Sequence, residues 1–118
     1  MTKHFSKWAS KQNIPANELS KALSDVQQGR YEANLGGNVF KKRIRFKGEG
    51  KSGGGRTILC YKKNERVVFV HGFAKNEKSN VSKKELMAFK ELFKVLLSLN
   101  SEQLAVAIEN GNLVEVAP

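Results

Sequence analysis

The chain has 118 residues, which suits one domain spanning 1–118 with a modest core. It is 40% hydrophobic and 27% charged, which excludes a disordered chain, and no apolar run reaches the about 18 residues of a membrane-spanning helix. Its formal net charge is +10, and more than half of that excess lies in residues 40–56, where Lys41, Lys42, Arg43, Arg45, Lys47, Lys51 and Arg56 face Glu49 alone. So focused a charge points to a polyanionic partner, nucleic acid first, rather than to a solubilising surface. The single cysteine, Cys60, excludes an internal disulfide and a cysteine-rich zinc site. MTKHFSKWAS holds no apolar core of signal-peptide length, so a cytoplasmic location is expected.

Two short helical patterns open the chain. Phe5, Trp8 and Ala9 share one face, and after a break at Asn13-Ile14-Pro15 the residues Leu19, Ala22, Leu23 and Val26 repeat at helical spacing. Pro15 fits a first turn, where a missing N–H is harmless, and Gly29 is a natural stop. Tyr31–Leu35 predicts an edge strand before the turn Gly36-Gly37-Asn38. Residues 39–47, VFKKRIRFK, then alternate. Phe40, Lys42, Ile44 and Phe46 point one way, while Lys41, Arg43, Arg45 and Lys47 form a basic face on the other.

After the glycine loop, Arg56–Tyr61 predicts a further strand, Lys62–Arg66 a hairpin turn, and Arg66–Phe73 a strand that is apolar on both faces and therefore central. Ser82-Lys83-Lys84-Glu85 is a capping box that opens an amphipathic helix with Leu86, Phe89, Leu92, Phe93, Leu96 and Leu97 as its buried stripe. Ser101 caps a last short helix, Gly111 ends it, and Leu113–Val116 reads as a final strand. Helices, then strands, then helix predict an α+β fold: an N-terminal helical hairpin, an antiparallel sheet of about four strands and a C-terminal helix.

The loop GEGKSGGGR resembles the end of a nucleotide-binding P-loop. That motif needs a glycine where Arg45 stands and a helix where the pattern gives a strand, so a phosphate-cradling P-loop is excluded. Two readings of the glycines stay open: a hairpin connection, or a loop that admits a nucleic-acid backbone beside Lys51 and Arg56. His4 reads as exposed and incidental, His71 as a hydrogen-bonded core histidine and Cys60 as a buried inert thiol. No paired-carboxylate or HExxH motif is present, so neither a metal nor a cofactor is expected. Arg43, Arg45, Lys47, Lys51, Arg56 and Lys75 could surround one phosphate, either to hold it or to stabilise charge during RNA cleavage.

From the basic strand through Gly-Gly-x-Arg to GFAKNEKSN and the following helix, residues 30–97 resemble the RelE/ParE toxin superfamily, in particular its HigB-like branch. The resemblance implies a toxin of a type II toxin–antitoxin pair and a ribosome-dependent, metal-independent endoribonuclease that cuts mRNA. It implies a catalytic set of Arg43, Arg45, Lys47, Arg56 and Lys75, and RNA binding by Lys41, Lys51, Asn76 and Lys78. It also implies a cognate antitoxin of the helix-turn-helix, HigA-like kind, the ribosome and mRNA as partners, and no membrane. Two positions depart from the pattern. Asn76 stands where a cation is typical, and Ser82 stands where RelE has a tyrosine. Two alternatives stay open: a ParE-like gyrase inhibitor, and a non-catalytic basic nucleic-acid-binding module.

Overall fold

A computed structural model describes residues 1–46, 54–75 and 81–116. Helices α1 (Lys3–Lys11) and α2 (Ala16–Gln27) form the expected N-terminal hairpin. The Thr2 hydroxyl accepts from the Phe5 amide and so caps α1. Pro15 is the residue that precedes α2, one place earlier than expected. Asn13 at φ 55° makes the bend between them, and Gly29 at φ 83° ends the second helix.

Four strands follow: β1 (Ala33–Gly36), β2 (Val39–Ile44), β3 (Gly55–Lys62) and β4 (Arg66–Ala74). They pair antiparallel in the order β1-β2-β3-β4. The fold is therefore α+β with a four-stranded antiparallel sheet, as expected. Two strand expectations change. Strand β2 stops at Ile44 rather than 47. Strand β4 lies at the edge of the sheet and not at its centre.

The two-sided apolar pattern of β4 has another cause. Phe69 stacks on Phe5 of α1 at 4.5 Å, and Val68, Val70 and Phe73 join the core on the opposite face. The open side of the strand is partly closed as well, because the Thr2 amide donates to the Phe69 carbonyl at 3.0 Å. A strand covered on both faces reads as central although, among the described residues, one edge carries no strand.

Helices α3 (Lys83–Ser98) and α4 (Ser101–Glu109) complete the chain. The capping box at Ser82 and Glu85 is present. The cap of α4 is Asn100, paired with Gln103, rather than Ser101. The Arg66 guanidinium donates to the Leu96 and Leu99 carbonyls and satisfies groups left open at the end of α3. Of the expected stripe, Phe93 and Leu96 are buried, while Leu92 stays exposed. The final strand is reduced to one isolated bridge between Thr2 and Leu113.

The sheet thus separates two cores. Phe5, Ala9, Leu19, Ala22, Val26, Ile44, Leu59 and Phe69 fill the side of α1 and α2. Val39, Ile58, Cys60, Val70, Phe73, Phe93 and Leu96 fill the side of α3. Among the described residues no helix is long and apolar enough to cross a membrane.

Candidate nucleic-acid interface

Strand alternation decides where each cation of β2 goes. Lys42 shares the side of Phe40 and Ile44, and its Nζ meets Asp25 of α2 at 3.1 Å. Arg30 approaches the same carboxylate at 3.8 Å. Lys42 is thereby engaged in holding α2 to the sheet. Lys41 and Arg43 take the other side, opposite Ile58 and Arg56 of β3. Two arginines from neighbouring strands thus stand in register, Arg43 beside Arg56, with Phe73 of β4 next in the row.

The two arginines differ in surroundings. Arg43 is exposed and has no ion-pair or hydrogen-bond partner among the described residues. Arg56 is only 6% exposed. Its Nε donates to Oε2 of Glu32 at 2.7 Å, and its Nη1 donates to the Gly55 carbonyl at 3.3 Å. A buried guanidinium needs such a counter-charge, since desolvation without one is costly.

One step further along the strands a second row forms. Arg45 follows β2, Gly54 precedes β3 and Lys75 follows β4. The Lys75 amide donates to the Gly54 carbonyl at 3.3 Å, and Arg45 and Lys75 are both exposed. Arg43, Arg45, Arg56 and Lys75 are therefore gathered at one end of the sheet, with Lys41 two residues from Arg43. Lys47, Lys51, Asn76 and Lys78 lie outside the described residues.

The glycines before Arg56 have a packing role. A methyl group on Gly54 would lie 2.6 Å from the Ile44 carbonyl oxygen, and one on Gly55 would lie 2.7 Å from the Phe46 ring. Both positions are closed by β2 and its extension. For these two residues the close approach is by the protein's own chain rather than by a nucleic-acid backbone.

Glu32 was not among the expected site residues. It lies just before β1, and its amide donates to the Lys41 carbonyl at 2.8 Å. With Arg30, Tyr31, Lys42 and Arg43 it lines an open pocket at the β1–β2 side of the sheet. Its signal in the sequence is thin: it is the only charged residue of 31–39, next to a strongly basic strand. His4 and His71, far apart in the sequence, meet in the fold: His4 Nε2 lies 3.2 Å from His71 Nδ1 and the rings stack. His71 Nε2 lies 3.9 Å from Glu85. His4 is exposed as expected and packs on His71. His71 is partly exposed, and beside it an extra residue in β4, Val70, shifts the register. Cys60 is fully buried, and burial pushes its thiol up to about 12, as suits an inert side chain.

Among the described residues no group of His, Cys, Asp or Glu is arranged to hold a metal ion. The arrangement that remains can bind phosphate and stabilise negative charge developing on it. No curated protein sequence matches the chain significantly. A family model, the RelE toxin of the RelE / RelB toxin-antitoxin system, matches residues 1–116. With that match over nearly its whole length, the chain belongs to the RelE toxin family, the toxins of type II toxin–antitoxin systems that are paired with an antitoxin.

Proposed function

We propose that the whole chain, 1–118, acts as one toxin domain, a ribosome-dependent endoribonuclease that cuts mRNA and so inhibits translation. The observation that carries this reading is the cross-strand pair Arg43 and Arg56, with Arg45 and Lys75 at the same end of the sheet. Cleavage by 2′-hydroxyl attack places growing negative charge on the phosphate oxygens. Guanidinium groups stabilise that charge, and strand register already sets the two arginines side by side. Arg43 meets the scissile phosphate directly and Arg56 backs it. Arg45, Lys75 and Lys41 take neighbouring phosphates, together with Lys47, Lys51, Asn76 and Lys78 from the two connecting segments. The partners are the ribosome, mRNA and a HigA-like antitoxin with a DNA-binding helix-turn-helix. The location is cytoplasmic, and the branch is HigB-like.

Induced expression in a host without the antitoxin, followed by mapping of mRNA 5′ ends, tests this reading. Cuts within translated codons that vanish when translation is blocked are expected. Intact mRNA with filamentation and a DNA-damage response would overturn it in favour of gyrase inhibition. Normal growth with intact mRNA would leave a non-catalytic basic module.

A further inference from the structure

Among the described residues the basic site contains one carboxylate, and its placement is specific. Glu32 Oε2 is held by Arg56 Nε at 2.7 Å, yet the Glu32 side chain is 38% exposed. One oxygen is thus fixed inside the site while the group stays open to a ligand at its mouth. Among the described residues the charged and titratable groups around it are Arg30 and Tyr31 on its own segment, Lys42 and Arg43 on β2, and Arg56 on β3. A phosphodiester bound by Arg43 would bring its ribose to the same pocket.

Resting on the reading of RNA cleavage above, we propose that Glu32 is the general base of the reaction. Its Oε1 takes the proton from the ribose 2′-hydroxyl. The 2′ oxygen then forms a bond to phosphorus, the bond from phosphorus to the 5′ oxygen breaks, and that oxygen keeps the electron pair. A proton from solvent water neutralises the departing 5′ oxygen, and the products are a 2′,3′-cyclic phosphate and a free 5′-hydroxyl. Arg56 keeps the carboxylate oriented, while Arg43 carries the charge on the non-bridging oxygens. A carboxylate whose role was only to neutralise Arg56 would not need a partly exposed side chain beside Arg43, an arginine without a partner among the described residues.

Single-turnover cleavage of ribosome-bound mRNA, measured across pH with purified protein, tests this role. Glu32→Gln keeps an oxygen that can accept from Arg56 Nε but cannot take a proton. It is expected to lose about 100-fold or more in rate, with substrate affinity little changed. The fall in rate on the acid side of the wild-type profile is expected to vanish in this variant, and Glu32→Asp is expected to restore part of the rate. A Glu32→Gln protein that cuts at the wild-type rate with the wild-type pH profile would overturn the assignment. So would a Glu32→Asp protein that is as inactive as Glu32→Gln while both melt well below wild type, which marks a structural ion pair. Arg43→Ala, assayed in parallel, separates the two levels. If wild type cuts, Arg43→Ala does not and Glu32→Gln does, cleavage stands and the base is elsewhere; if wild type itself does not cut, both fall together.

Discussion

Arg43 and Arg56 face each other across β2 and β3, yet one is open to solvent and the other is buried against Glu32. The two positions therefore separate chemistry from folding. Arg43→Ala removes an exposed guanidinium, so unfolding free energy is expected to stay within about 0.5 kcal/mol of wild type while cleavage is lost. Arg56→Ala is expected to lose cleavage and also to destabilise the protein by about 1–3 kcal/mol, because it leaves Glu32 without its partner and empties a buried space. Urea titrations beside cleavage assays check both. A stable, inactive Arg56→Ala protein would show that the ion pair contributes little to folding.

Gly72 passes beneath the indole of Trp8. A methyl group there would lie 2.3 Å from the ring, so Trp8 or the strand must move to admit it. Gly72→Ala is expected to destabilise by about 1–3 kcal/mol, the usual range for overpacking. Trp8→Leu in the same chain is expected to recover part of that loss. The recovery, read as a double-mutant coupling, distinguishes the contact from a general loss of strand structure. Equal destabilisation in the single and double variants would place the strain elsewhere.

Much of this architecture follows from local patterns. The helical hairpin, the Ser82 capping box and the alternation of β2 are legible because each depends on residues a few positions apart. The position of β4 was not legible. Its sequence records burial on two faces, and burial is the same whether a strand or the chain terminus lies alongside. The site divides in the same way. Arg43 and Arg56 stand out by charge, whereas Glu32 and the contact of His4 with His71 arise only when distant segments meet. Lys42, which belongs by sequence to the basic cluster, is claimed by Asp25 on the opposite face.

Arg45 and Lys75 are exposed cations one row beyond the arginine pair, and neither enters an ion pair among the described residues. Replacing either by Ala is expected to weaken RNA binding without changing stability. The salt dependence of binding carries the sharper signal. Each lost phosphate contact lowers the slope of log affinity against log salt by about 0.7 on single-stranded RNA. A titration of Arg45→Ala and Lys75→Ala over a range of salt concentrations checks this. A fall in affinity with an unchanged slope would mean that the side chain acts on shape or folding and not on phosphate.

Cys60 offers a pH-dependent reading of the core. It is fully buried on the α3 side of β3, and desolvation raises its thiol from 9.0 to about 12. The folded state therefore binds its proton more tightly than the unfolded chain does. That preference contributes stability in full below about pH 9, and it is lost as pH rises from 9 towards about 12. The stability gap between wild type and Cys60→Ala is accordingly expected to narrow in that window, after a constant loss at neutral pH from the missing sulfur. Iodoacetamide gives an independent check. Because the thiolate forms readily only after opening, alkylation at mildly alkaline pH is expected to follow the opening of the fold and to accelerate with urea. A wild-type protein alkylated at the rate of a free thiol would show that β3 is open to solvent at this position, and that the core beneath α3 is looser than its packing implies.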